Sequence, residues 1–165
     1  MTEVLRLQSR RRRFVAFTFI EVMVVVVIIG ILAAMVIPRF GEVTNSADSA
    51  ALKGAVAGVR SSIAGYRAKA MLAGTAAFPV LADLTTPGRV LQSDIPVNPY
   101  NGLHTVQSVS VADAARRAVS NATSFGWNYA VDNASNPPSA MFYANSDDTT
   151  DVPDGHGGFK KASEL

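Results

Sequence analysis

Glu21 is the chemically singular residue of this chain, the only charged side chain in an apolar run from Phe17 to Ile37 made almost wholly of Val, Ile, Met, Leu, Ala and Phe. A carboxylate inside such a helix costs about 2.5–3.5 kcal/mol on insertion scales, so it requires a partner. A second set of oxygen ligands lies near the other end: Asp147, Asp148, Asp151 and Asp154, followed by Gly155. Carboxylates in a polar segment suit a hard cation, although their spacing matches no EF-hand loop, and a solvated acidic loop is the competing reading. His104 and His156 stand apart from acids at any metal-ligand spacing and read as turn or surface residues. Gly-x-Ser-x-Gly, His-Glu-x-x-His and the Walker phosphate loop do not occur, so no catalytic motif supports an enzyme. The glycine-rich, basic stretch from Gly155 to Lys161 follows no expected strand, opens no expected helix, and reads as a mobile tail. There is no cysteine, which removes thiol catalysis, thiolate metal sites and disulfides from consideration.

The element that carries Glu21 is set by length. At 1.5 Å per residue, roughly 20 apolar residues in a helix cross a hydrocarbon core of ~30 Å. Arg6 and Arg10 to Arg13 precede the run and only Arg39 follows it closely, which places the N-terminus in the cytoplasm and the remainder outside. A secretory signal shares the basic-then-apolar order, but its apolar region is only ~7–15 residues long. The run here is longer, and Ala33-Ala34 lies inside it rather than at its end. The formal charge of +2 is a property of this leader. Five of the 15 basic residues and one of the 13 acids lie in positions 1–16, leaving 10 against 12 and a net −2. That balance shows no basic footprint for dedicated nucleic-acid binding.

A little over a hundred residues follow the apolar run, enough for one small domain. Pro38 closes the run and is expected to kink or break the helix, and Gly30 is a weaker point within it. From about residue 46 to 71 helical periodicity resumes, with Leu52, Val56, Val59, Ile63, Tyr66 and Ala70 at steps of four and three. Gly54, Gly58, Ser61 and Gly65 form a second stripe on another side. Each helical glycine costs ~1 kcal/mol relative to alanine. Small residues at that spacing let backbones approach closely, so Gly54, Gly58 and Gly65 are candidate packing positions between subunits, with a tolerated set of small residues as the plainer reading. Val80 to Leu84 predicts a short helical piece, Ile95 to Gly102 a rigid connection, Thr105 to Val111 a strand, and Ala112 to Val119 a helical turn or two. Phe125, Trp127, Tyr129 and Val131 alternate on one strand face, and Met141 to Ala144 predicts its antiparallel partner. The expected fold class is α+β: a long N-terminal helix packed on a small antiparallel β-sheet.

The basic leader, the Ala16/Phe17 junction, Thr18-Phe19-Ile20-Glu21-Val22-Met23, Gly30-Ile31-Leu32-Ala33-Ala34 and the closing Pro38 together resemble the type IV pilin and type II secretion pseudopilin superfamily, in particular its major pseudopilins. The family usually carries glycine where this chain has Ala16 and leucine where it has Phe19; alanine there remains compatible with processing. The resemblance implies a pilin-like fold in three parts: a cleaved leader over residues 1–16, a transmembrane and assembly helix over 17–38, and an outer domain over 39–165. It implies that a prepilin peptidase cuts after Ala16 and methylates the new amine of Phe17. Glu21 then pairs with the Phe17 amine of a neighbouring subunit, with Gly30 and Pro38 belonging to the same assembly segment. Two opposite charges in an apolar bundle attract far more strongly than in water. The implied partners are other copies of the chain in a helical filament, minor pseudopilins, the inner-membrane assembly platform, and lipid before assembly. The implied location is the inner membrane, single-pass, and then a periplasmic or extracellular filament. The implied role is type II protein secretion, with a type IV pilin for adhesion, motility or DNA uptake as the alternative. Calcium, held by Asp147, Asp148, Asp151 and Asp154, is the cofactor such a pseudopilin implies. A single-pass membrane protein whose outer domain binds a ligand is the rival class, and it would keep its first 16 residues.

Overall fold

Helix α1 (Phe19–Leu72) has to satisfy two unlike surroundings along its length. The computed structural model describes residues 17–75 and 77–165, with only the backbone at positions 38–40 and 42. The chain divides into two units, residues up to Phe40 and Gly41–Leu165, each described by itself.

In the first unit, Phe19–Ile37 has a mean hydropathy of 3.1 and none of it is buried. Val24 to Ile29 are all β-branched, a poor sequence for a helix in water because each residue loses χ1 freedom. In hydrocarbon the balance reverses, since every backbone N–H and C=O must be satisfied within the segment. A helix apolar on all sides belongs in lipid or among other apolar helices. The expected break at Pro38 is absent: helical backbone continues through positions 38–42. Proline forfeits one backbone hydrogen bond, whereas ending one helix and starting another would expose several unpaired groups on each side.

In the second unit, α1 buries Leu52, Val56, Val59 and Ile63, each at most 6% exposed. Burying such a side chain is worth about 1.5–3 kcal/mol, so this stripe holds the helix to the domain. It packs with Trp127, Tyr129 and Phe142 of a sheet and with Leu84 of the short helix α2 (Leu81–Leu84). The sheet has the order β1 (Val106–Ser108), β2 (Trp127–Asp132), β3 (Ser139–Ala144). β2 and β3 are antiparallel, pairing Trp127 with Ala144 and Asp132 with Ser139. β1 pairs with β2 in parallel, so the sheet is mixed rather than wholly antiparallel. The expected strand to Val111 stops at Ser108, and helix α3 (Val111–Ala115) follows, with the Ser110 hydroxyl accepting from the Asp113 amide. That helix and the loop after it supply the crossover which a parallel pair needs.

Both faces of β2 are covered. Trp127 and Tyr129 face α1, with Trp127 stacked on Phe142 at 5.1 Å. Their polar tips are satisfied, Trp127 Nε1 donating to Pro96 O at 2.7 Å and the Tyr129 hydroxyl to Pro79 O at 2.7 Å. On the other face, Ala130 packs with Ala114 and Tyr143, and Asn128 is fully buried. Asn128 accepts from Gln107 Nε2 at 2.7 Å and donates to Ala118 O and to Asn145 Oδ1. Asn145 in turn donates to Ser120 O and Phe125 O and accepts from the Ser120 amide. Buried Asn98 donates to Gly126 O. These amides tie the irregular segments into the sheet, the task that disulfides perform in many small exported domains.

The expected mobile tail is an ordered hairpin. β4 (Thr149–Pro153) and β5 (Phe159–Lys161) are antiparallel, with a one-turn 3₁₀ helix over Ala162–Glu164 after them. The turn needs left-handed backbone at Gly155 (φ 85°) and Gly157 (φ 94°), which glycine supplies without steric cost. The hairpin is anchored on α1, where Ser49 Oγ accepts from the Asp151 amide and also meets the Tyr100 hydroxyl at 2.9 Å.

Candidate assembly site

The first described residue is Phe17, so Ala16 and the basic leader over 1–16 lie outside the described residues. Phe17 is 81% exposed and, with Glu21, Val22, Val25 and Val26, lines a shallow apolar depression on the first turns of α1. Thr18 and Glu21 form a reciprocal cap. The Glu21 amide donates to Thr18 Oγ1 at 3.3 Å, and Glu21 Oε2 accepts from the Thr18 amide and hydroxyl at 3.4 Å. This is the Thr-x-x-Glu capping box, in which each side chain satisfies an N–H that the first turn leaves unpaired. Within one chain the carboxylate therefore has a local partner. This local partner adds to the one expected on a neighbouring subunit, and the Thr-x-x-Glu spacing encodes it. The hydrogen bonds are long, and the helix start offers only partial positive charge, so the carboxylate remains available to a full positive charge.

Gly30 lies mid-way along the exposed apolar helix with nothing within 4 Å of where a side chain would start. At Pro38 only the backbone is described, and it is helical. The same open space surrounds Gly54, Gly58 and Gly65. Gly54 and Gly58 border a surface groove whose other wall is Leu91, Ser93, Asp94 and Pro96. No contact within the second unit requires glycine at these positions.

The four aspartates expected to share a cation do not converge. Asp147 pairs with Lys161 Nζ at 3.0 Å, and Asp148 accepts from the Ser146 hydroxyl. Asp154 Oδ1 accepts from the His156 and Gly158 amides at 2.7 and 3.0 Å, closing the β4–β5 turn, and these amides hold its pKa below the usual carboxylate range. The pKa of Asp151 is also lowered, first by the hydroxyls of Ser46 and Ser49 on α1. Each acid is thus committed to a different local partner. Among the described residues no group of three or more His, Asp or Glu side chains is placed to hold a metal ion. The residues present do not fit a common calcium site. His104 and His156 are exposed and belong to no such group.

Comparison with known proteins accords with the N-terminal geometry. Residues 12–37 match the family model described as the prokaryotic N-terminal methylation motif. The chain is 48% identical over 48 residues to the type IV narrow pilus major component PilA5 of Thermus thermophilus. That alignment takes in 29% of this chain and spans 41% of the relative's length. No solved structure matches. The methylation motif and the pilus relative agree on the same stretch of the chain: its N-terminal segment is similar to that of a type IV pilus subunit, and the long apolar helix leads from it into an α+β domain.

Proposed function

We propose that this chain is a structural subunit of a helical filament, inserted in the inner membrane as a precursor, cut between Ala16 and Phe17 by a prepilin peptidase, N-methylated at Phe17 and assembled through Glu21. The observation that carries this reading is an entirely uncovered apolar helix with a carboxylate one turn from the cleavage junction. Such a surface is stable only in lipid or against other apolar helices. When stems exchange lipid for one another, the Phe17 amine freed on one subunit supplies a full positive charge for Glu21 of the next. That interaction displaces the weaker cap to Thr18.

The filament itself is read as a type IV pilus fibre, because the aligned relative is a pilus major component. Type II secretion remains the second reading, supported by the cysteine-free outer domain, which closes its C-terminal part with a hairpin instead of a disulfide. In that case the partners include minor pseudopilins and the same kind of assembly platform. Mass spectrometry of the native protein tests the processing step: the expected mature chain starts at N-methylated Phe17, and a native chain retaining residues 1–16 contradicts the filament pathway. Deleting the gene separates the two machines, since loss of surface fibres with normal secretion supports the pilus, and the reverse supports secretion.

A further inference from the structure

Three arginines of the outer domain pair with no Asp or Glu side chain among the described residues. Among the described residues the ion pairs join Arg89 to Asp83, Arg116 to Asp113 and Lys161 to Asp147, and none includes Arg60, Arg67 or Arg117. Arg60 and Arg117 line one cleft of about 270 Å³, together with Ile63, Phe78, Met141 and Phe142. Arg60 is fixed in place by donating from Nε to Phe142 O at 3.0 Å and from a terminal nitrogen to Leu165 O at 2.8 Å. Its other terminal nitrogen, Nη2, is buried without an acceptor, and so is Nη1 of Arg117. Arg67 lies 4.3 Å from the ring centre of Phe78, a residue that lines the cleft, and its Nε is likewise buried and unpaired.

Like charges in a half-buried cleft repel, and unpaired buried N–H groups cost free energy. Burial first, and then the positive charge of Arg117, lower the pKa of Arg60. The backbone adds a further cost. Arg117 follows the end of α3 at φ 54°, a left-handed position where glycine is the usual residue. Its guanidinium is held 5.2 Å from the centre of the Tyr143 ring. A strained position thus presents a second guanidinium to a cleft that already holds one, and no Asp or Glu side chain lines it. Planar forks with free donors match the oxygens of a carboxylate or phosphate.

We propose that the Arg60–Arg117 cleft is a binding site for a small oxyanion, a phosphate or carboxylate group held between the two guanidiniums. Its apolar walls Ile63, Phe78 and Met141 accommodate whatever short group carries the anion. The site belongs to the outer domain and does not depend on the filament reading. The test uses the full chain in detergent micelles, with thermal melting followed against phosphate and, in a second arm, benzoate, each compared with chloride at equal ionic strength. Phosphate also stabilises proteins by exclusion from their surface, so Arg116→Gln serves as the control for loss of a neighbouring arginine outside the cleft. Arg117→Gly removes the guanidinium while suiting the backbone, and should melt no lower than wild type without anion. Expected is a saturable rise in Tm for wild type and Arg116→Gln, with affinity weaker by roughly ten-fold or more in Arg117→Gly. The arm that protects identifies the oxyanion. Equal shifts in all three proteins, or no shift beyond chloride in either arm, overturn the proposal. Calorimetric titration of wild type with both anions decides without any variant, since absence of saturable heat also overturns it.

Discussion

At the scale of single residues, the outer domain is secured by atoms that leave no room for substitution. Gly126 is buried where β2 begins, and a side chain there would start 2.1 Å from Leu103 O. Backbone cannot yield as a flexible side chain can, so Gly126→Ala is expected to destabilise the domain by about 2 kcal/mol or more, read as a lower midpoint in denaturant. Asn145 shows the cost of an unpaired buried group. Replacing it with alanine leaves the Ser120 amide and Asn128 Nδ2 each without that acceptor, and roughly 3 kcal/mol is expected at about 1–3 kcal/mol per orphaned group. Asp154 sets an acid limit. Its pKa is depressed in the folded chain, so its contribution is complete above the ordinary carboxylate value of about 4 and disappears as pH falls through the lower folded value. Asp154→Ala should therefore show a flatter loss of melting temperature between about pH 5 and 2 than the wild type; parallel curves would remove this role from the turn.

At the scale of elements, legibility follows periodicity. The Leu52, Val56, Val59, Ile63 stripe and the Trp127, Tyr129 alternation were readable because one face of each element meets the core. Asn128 and Ala130 were not, since a strand covered on both sides loses its polar face, and buried asparagines look like exposed ones in sequence. The parallel pairing of β1 depends on a crossover through α3 that three strand residues cannot announce. The β4–β5 hairpin was hidden because its turn chemistry lies in Asp154 and two left-handed glycines rather than in an apolar pattern. The cap between Thr18 and Glu21 was harder to read, because its two polar members are submerged in an apolar run. The glycine stripe on α1 carries its own prediction. With open space at Gly58, alanine should stabilise the unassembled chain by up to ~1 kcal/mol through helix propensity. If this face packs against neighbouring subunits, Gly58→Val leaves the monomer folded but lowers filament yield. Undiminished yield assigns the glycines to tolerance alone.

At the scale of the whole molecule, one chain combines an uncovered apolar segment, Phe19–Ile37, with a domain, Gly41–Leu165, that has its own core. In the proposed filament, the step that joins subunits rests on Glu21 passing from the Thr18 cap to a neighbour's Phe17 amine. Glu21→Gln separates these two partners better than any other substitution. Glutamine retains the capping-box geometry, so α1 should begin as before, while the negative charge is lost. The decisive measurement is filament yield from cells producing Glu21→Gln, alongside the mass of the processed subunit. The expected result is normal cleavage at Ala16/Phe17 with few or no filaments; filaments at the wild-type level would contradict charge pairing as the basis of assembly.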